Sequence, residues 1–150
     1  MTMRTVHAGS GVVGRINPCR LIELPEYVDP RGRLSVVEAD KDVAFDIKRV
    51  YYLYDLPNAT VRGAHGHREL EQLVIALHGE FDVMVDDGYR QARFHLDRPS
   101  TGLYIGPMVW RDLLGFSSGA VGLVLASMHY DEADYYRDYE EFLRAARSVA

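Results

Sequence analysis

Two histidines, separated by one residue, form the densest group of reactive side chains in the sequence. They are His65 and His67 in the segment 62–72 (RGAHGHRELEQ). Residues i and i+2 of an extended segment point to the same face, so we expect the two imidazoles side by side. Imidazole changes charge near neutral pH and acts either as a proton carrier or as a metal ligand. The pair therefore indicates proton transfer or metal binding, unless both rings only make hydrogen bonds in the wall of the fold.

The segment 62–79 resembles the first motif of the cupin superfamily, which implies a small antiparallel β-barrel or jelly roll. In metal-binding cupins, two histidines and a glutamate of this motif are joined by a third histidine from a second motif. The second motif here is 102–111 (GLYIGPMVWR), which has Arg111 in that position. A guanidinium stays protonated and has no lone pair for a metal. We therefore expect no metal and no other cofactor, and we favour proton transfer by His65 and His67.

The elements that must hold these residues are short. Apolar runs broken by turn signals predict eight strands, at 20–24, 33–38, 47–54, 71–77, 81–85, 90–96, 102–105 and 121–127. The sequence DDG at 86–88 predicts a tight hairpin turn. This spacing favours a sandwich or barrel. Aromatic residues then recur at helical spacing from Tyr135 to Phe142, which predicts one or two C-terminal helices that pack on the barrel.

Composition restricts the class of protein. The 150 residues carry 17 basic and 22 acidic side chains, for a net charge of −5. We predict a single all-β domain over 1–150, with 1–14 as a flexible tail. No apolar run approaches the roughly 20 residues of a membrane span, and no secretory signal is recognisable. Acidity without a basic stripe argues against nucleic-acid binding, and one cysteine excludes an internal disulfide. The expected location is cytoplasmic.

A series of ordered blocks resembles the cupin-type (WxcM-like) dTDP-4-keto-6-deoxyglucose 3,4-ketoisomerases. The blocks are 29–32 (DPRG), 45–52 (FDIKRVYY), 62–72, 102–110, 123–127 (LVLAS) and 130–135 (YDEADY). The resemblance implies that the keto group of a dTDP-linked 4-keto-6-deoxy sugar moves from C4 to C3, in deoxysugar and aminosugar biosynthesis. A base must remove the C3 proton, an enediol(ate) forms, and a proton returns to C4.

The resemblance also implies roles for single residues. His65 and His67 match the family's catalytic pair, without an assignment of which one serves carbon and which serves oxygen. Tyr51 is a candidate donor to the oxyanion, or else a core aromatic residue. Arg49 and Arg62 are candidates for the diphosphate, because guanidinium groups suit phosphate oxygens, or else they form ordinary salt bridges.

Five further residues complete the predicted site. Gln72, with Glu71, is expected to line the histidine face or to anchor the histidines. Tyr104 and Trp110 are expected to stack on thymine or sugar, or to be core residues. Arg31 and Arg111 occupy positions that vary between family members with a gluco or a galacto product. The combination is mixed here, so the configuration at C4 stays open, with Arg111 favouring gluco.

The resemblance further implies a homodimer with exchanged N-terminal strands. Two alternative functions remain. One is a dTDP-sugar 3,5-epimerase, which would need a single histidine and a tyrosine acid, so that the second histidine would be superfluous. The other is a non-catalytic cupin that binds a sugar nucleotide as a sensor.

Overall fold

The architecture is two facing antiparallel sheets and one C-terminal helix. A computed structural model describes residues 18–148, so the predicted tail at 1–14 lies outside the described residues. The strands in chain order are β1 (Cys19–Glu23), β2 (Glu26–Asp29), β3 (Gly32–Ser35), β4 (Arg49–Leu53), β5 (Arg62–His67), β6 (Gln72–His78), β7 (Phe81–Asp86), β8 (Gln91–Leu96), β9 (Thr101–Ile105), β10 (Trp110–Leu114), β11 (Val121–Ala126) and β12 (Tyr135–Tyr136). A 3₁₀ turn covers Glu132–Asp134, and helix α1 covers Tyr139–Ser148.

From β4 to β12 the strands alternate between the two sheets, except that β7 and β8 are neighbours in the same sheet. One sheet has the order β1-β9-β6-β11-β4 and the other the order β12-β5-β10-β7-β8, while β2 and β3 form a separate hairpin. Neighbouring strands pair antiparallel throughout. The prediction of an all-β, jelly-roll-like fold with a short C-terminal helix is confirmed. The strands make a sandwich of two sheets, however, and not a closed barrel.

The main core lies between the two sheets and follows from period-two patterning. In β8, Ala92, Phe94 and Leu96 point inward while their neighbours are exposed. β6 instead is buried over five consecutive residues, because its second face is covered by a smaller cluster that includes Phe45 and Tyr104. A third cluster joins α1 to the outer face of the other sheet. These clusters thus cover part of each outer face, while the two inner faces enclose the main core.

Four strands were not predicted. β2 and β3 form a hairpin whose residues are mostly exposed, so β2 lacks an apolar pattern. β5 is rich in glycine and histidine, and β10 has Arg111 and Asp112 at its centre, so neither resembles an apolar strand. β12 has two residues and exists because it pairs with β5.

The C-terminal segment corrects the predicted helix. Tyr135 was placed at helical spacing with Tyr139 and Phe142, yet it lies in β12, and α1 begins only at Tyr139. Pairing of Tyr135 with His67 across the sheet decides its conformation. Among residues 18–148, no helix is both long and apolar enough to cross a membrane.

Candidate active site

A β-bulge in β5 sets the direction of the two histidines. His65 pairs with Arg111 of β10, but Gly63 pairs with Asp112, so Ala64 is an extra residue on its strand. Gly63 and Ala64 have φ values of 88° and 54°, in the left-handed region. A Cβ on Gly63 would lie 2.9 Å from the carbonyl oxygen of Arg111, so glycine is required there. The bulge turns the Gly63 carbonyl towards His65.

His65 is held with a lone pair free on Nε2. Its Nδ1 lies 3.0 Å from the Gly63 carbonyl oxygen. A carbonyl only accepts, so Nδ1 carries the proton and donates it. Burial and the nearby Arg111 guanidinium lower the pKa of His65 from 6.5 to about 4. The ring is therefore a neutral base at neutral pH.

His67 is held in the same tautomer by a different partner. Its Nδ1 lies 2.9 Å from Oδ2 of Asp134, and its Nε2 is buried with no hydrogen-bond partner among the described residues. Burial of the ring lowers the pKa of His67 far below its usual value, and the nearby Arg111 guanidinium lowers it further. The two imidazole centroids are 4.8 Å apart, with one ring edge-on to the other. The predicted side-by-side arrangement is thus present, with one anchor being a neutral carbonyl and the other a carboxylate.

A chain of hydrogen bonds joins Arg111 to Tyr51 across the two sheets. The buried Arg111 donates to Oε1 of Gln72, and Nε2 of Gln72 donates to the Tyr51 hydroxyl oxygen over 2.7 Å. Because that oxygen already accepts a hydrogen bond, its own proton is free for another acceptor. Burial raises the pKa of Tyr51, which keeps the hydroxyl protonated. Tyr51 is therefore arranged as a hydrogen-bond donor.

These groups surround a cavity of about 70 Å³ between the sheets. Its polar lining consists of Tyr51, Arg62, His65, Gln72 and Arg111. Apolar residues of the main core close the remaining walls, which leaves a small, largely apolar space with a few converging polar groups. Five of the ten predicted site residues thus line one cavity.

Two further predicted residues lie next to this lining. His67 is in contact with His65. The Arg49 guanidinium lies 5.2 Å from the Tyr51 ring centroid and 5.7 Å from that of Tyr130, and its buried Nε has no partner in the described part of the chain. Arg49 therefore brings a second uncompensated positive charge close to Tyr51.

Three of the ten candidate residues lie outside this cavity: Tyr104 and Trp110, for which a core position was the alternative, and Arg31. Tyr104 points to the opposite face of its strand and donates to Glu71 over 2.5 Å, so Glu71 does not anchor the histidines either. Trp110 packs under α1 against Tyr139, on the outer face of its sheet. Arg31 stands at the turn of the β2–β3 hairpin, bonded to Asp29. Strand alternation explains Tyr104 and Trp110, since their neighbours Ile105 and Arg111 line the cavity.

Comparison with known proteins identifies the family. The family model described as FdtA: WxcM-like, C-terminal, matches residues 17–147. The chain belongs to this family. The FdtA-family chain is 44% identical, over 82% of its length and 88% of the relative's, to the TDP-4-oxo-6-deoxy-alpha-D-glucose-3,4-oxoisomerase of Aneurinibacillus thermoaerophilus. The resemblance seen in the sequence is confirmed.

Two solved structures are similar to this FdtA-family chain over most of its length. One is a mutant of the 3,4-ketoisomerase QdtA from Thermoanaerobacterium thermosaccharolyticum in complex with TDP-4-keto-6-deoxyglucose (38% identity, TM-score 0.88, 90% of this chain and 98% of that one). The other is the WlaRB TDP-quinovose 3,4-ketoisomerase from Campylobacter jejuni (46% identity, TM-score 0.83, 86% and 99%).

The structure of this FdtA-family chain also adds residues that the sequence did not reveal. Asp134 bonds to His67, and the Tyr135 ring lies 5.0 Å from the His65 centroid and 4.4 Å from that of His67. Both follow from the pairing of β12 with β5. The signal in the sequence was the block YDEADY at 130–135, which was used as a mark of the family and whose Tyr135 was interpreted as packing.

The position opposite the histidines contains an arginine. Across residues 18–148 there is no group of three or more His, Cys, Asp or Glu side chains that could hold a metal ion. Arg111 pairs with His65 across the sheet. Its guanidinium donates hydrogen bonds to Oε1 of Gln72 and, over 2.8 Å, to the Val109 carbonyl oxygen. That the protein works without metal remains a prediction.

Proposed function

We propose that this protein is a nucleotide-sugar isomerase that converts dTDP-4-keto-6-deoxyglucose into a dTDP-3-keto-6-deoxyhexose. The observation that supports this proposal most directly is the pair of neutral imidazoles, each with its proton held on Nδ1. They lie beside the Tyr51 hydroxyl and the buried Arg111 guanidinium. The family relationship supports the same activity, because its curated relative is named as an oxoisomerase of this sugar.

The reaction needs a base that removes one carbon-bound proton and returns a proton to the neighbouring carbon. Nε2 of one histidine takes the C3 proton, which is acidic because C3 is next to the C4 carbonyl, and an enediol(ate) forms across C3 and C4. A proton is then added at C4, and one proton passes from the C3 oxygen to the C4 oxygen. Two adjacent imidazoles supply both transfers. The sugar keeps its oxidation level, so the scheme needs no redox cofactor.

The negative charge of the enediolate needs donors that are already in place. Tyr51 has a free proton because Gln72 occupies its oxygen. Arg111 supplies a fixed positive charge that the low-dielectric interior screens little. We assign these two residues to the oxygens of the intermediate and Gln72 to positioning Tyr51.

Two arginines are suited to the nucleotide diphosphate. Arg62 is exposed at the cavity wall, and Arg49 has a buried Nε without a partner. Neither has an ion-pair partner among the described residues, unlike Arg31 or Arg137. Their guanidinium groups can each bind phosphate oxygens.

The decisive experiment follows the sugar directly. Proton NMR of dTDP-4-keto-6-deoxyglucose with the protein in D₂O should show the keto group move from C4 to C3, with deuterium entering at C4. The same spectra give the configuration at C4, for which Arg111 favours gluco. Exchange at C3 and C5 with the keto group still at C4 would indicate an epimerase. An unchanged sugar spectrum with bound nucleotide would indicate a binding protein.

Replacement of the histidines tests the mechanism. His65→Asn and His67→Asn should each lower turnover by about 10²-fold or more, because each removes a proton carrier, while the affinity for dTDP stays nearly constant. His129→Asn, which changes an exposed histidine, is the matched control and should keep wild-type turnover. Wild-type turnover in both site variants would contradict the mechanism.

We also propose a homodimer that exchanges N-terminal strands, and a cytoplasmic location. Support for the dimer comes from the β2–β3 hairpin, where Tyr27, Val28 and Leu34 are each more than half exposed. An apolar groove of about 530 Å³ lies between this hairpin and the outer face of the first sheet. β1 is the edge strand there and pairs with β9 of its own chain, a pairing that a second copy can replace. Arg31 would then serve the site of the partner.

A further inference from the structure

Asp134 is a buried carboxylate in contact with His67. It ends the 3₁₀ turn directly before β12, and 7% of its surface is exposed. Its Oδ1 accepts from the Glu69 backbone N–H over 2.8 Å, and its Oδ2 faces Nδ1 of His67 over 2.9 Å. Its backbone carbonyl also accepts from the Arg68 N–H. The carboxylate is thus fixed on two sides, and within residues 18–148 its side-chain partner is His67.

This arrangement restricts the chemistry of His67. An ionised carboxylate only accepts hydrogen bonds, so the neutral ring must hold its proton on Nδ1. Once Nε2 takes a second proton, the imidazolium lies close to Arg111 and away from water. A positive charge there is unfavourable unless a negative group compensates it. Asp134 is that group, whereas Nδ1 of His65 faces the neutral Gly63 carbonyl.

We propose that Asp134 is a positioning residue for proton transfer, which keeps Nε2 of His67 as the base and stabilises the imidazolium formed during turnover. The proposal rests on the proposed isomerase function for its kinetic part. Its structural part concerns the tautomer of His67 and stands without substrate.

Asp134→Asn tests this with little change in shape. The amide oxygen can still accept from the Glu69 N–H, but the NH₂ group now faces Nδ1 of His67. That nitrogen must then accept, so the ring proton moves to Nε2 and the base is lost. Asp131→Asn is the matched control, because Asp131 caps the same turn through the Ala133 N–H and asparagine caps equally well.

Two measurements are made on each protein. Imidazole ¹⁵N spectra should show His67 protonated at Nδ1 in the wild type and at Nε2 in Asp134→Asn. Turnover of Asp134→Asn should fall by about 10²-fold or more with KM changed less than about threefold, since the substrate contacts remain. Asp131→Asn should match the wild type in both.

The outcomes separate this proposal from the proposed function. Wild-type His67 with its proton on Nε2, or an unchanged tautomer in Asp134→Asn, overturns the positioning role, and so does an inverted tautomer with wild-type turnover. If Asp134→Asn does not fold, the wild-type spectrum still decides the tautomer. A wild type that binds the nucleotide sugar without isomerising it refutes the function instead, while the tautomer result stands independently.

Discussion

Arg111 determines the electrostatics of the site at the scale of single residues. It is 2% exposed, and its Nε has no hydrogen-bond partner within residues 18–148. Burying a charge that is incompletely paired costs stability. Burial, and after it the same charge, lowers the pKa of His65 and of His67, which keeps both as free bases. This arrangement suits the proposed proton abstraction, and it does not favour stability.

The lowered pKa of His65 predicts how stability depends on pH. In the unfolded chain the pKa is near 6.5, and in the folded protein it is about 4. Between these values the unfolded chain binds more protons, so the free energy of unfolding decreases as pH falls from about 6.5 towards 4. His65→Asn removes this contribution. Its loss of stability between about pH 7 and pH 5 should be smaller than that of the wild type, by about 1–2 kcal/mol.

Urea unfolding at the two pH values measures this difference. Asp82 raises the pKa of His95, which acts in the opposite direction, but that contribution is common to both proteins and cancels. Identical pH dependence in His65→Asn and the wild type would show that His65 is not a buried neutral base.

At the scale of elements, the bulge in β5 places a backbone carbonyl where it orients the His65 ring. It uses two left-handed residues, Gly63 and Ala64, to bring a carbonyl under His65 while β5 stays paired with β10. On its other edge β5 pairs with β12, which supplies Tyr135 and places Asp134, the last residue of the preceding 3₁₀ turn, beside His67. Three chain segments, distant in sequence, therefore fix one pair of imidazoles.

Gly63→Ala should be strongly destabilising. The alanine would have to adopt the left-handed φ of 88°, and its Cβ would lie 2.9 Å from the Arg111 carbonyl oxygen. Strain and the backbone contact together should lower the free energy of unfolding by about 2–4 kcal/mol in urea titrations. Gly115→Ala is the control, because φ is 68° there and the nearest atom is 3.8 Å away. It should lose only about 1 kcal/mol. Equal losses would mean that the close approach to Arg111 is unimportant.

The same element explains what the sequence could predict. The spacing of His65 and His67 predicts that their side chains lie side by side, and the resemblance to the two cupin motifs implies that Arg111 lies near them. Eight strands contain apolar runs bounded by turn residues and could be predicted for that reason. β10 was missed because its buried Arg111 reverses the usual pattern. Asp134 was missed because its contact with His67 spans 67 residues and depends on the pairing of β12.

At the scale of the whole molecule, charge and apolar surface are unevenly distributed. The net charge is −5, yet Arg49, Arg62 and Arg111 gather around the cavity. The total charge therefore does not indicate the sign of the ligand. The exposed apolar hairpin is on the far side of the first sheet and carries Arg31, whose side chain is 90% exposed. Both features favour a dimer in which the hairpin of one chain reaches the site of the other.

Mixing two inactive variants tests this arrangement, because a shared site can be rebuilt from two damaged chains. Arg31→Ala and His67→Asn should each be nearly inactive as homodimers, with light scattering giving twice the mass of one chain. In a mixed dimer, one site has His67 from the first chain and Arg31 from the second, so it is intact. Random assortment should therefore restore about a quarter of wild-type activity. Arg31→Ala mixed with the double variant R31A/H67N contains no intact site and should stay inactive. If the first mixture also stays inactive although mixed dimers form, Arg31 does not act across the interface.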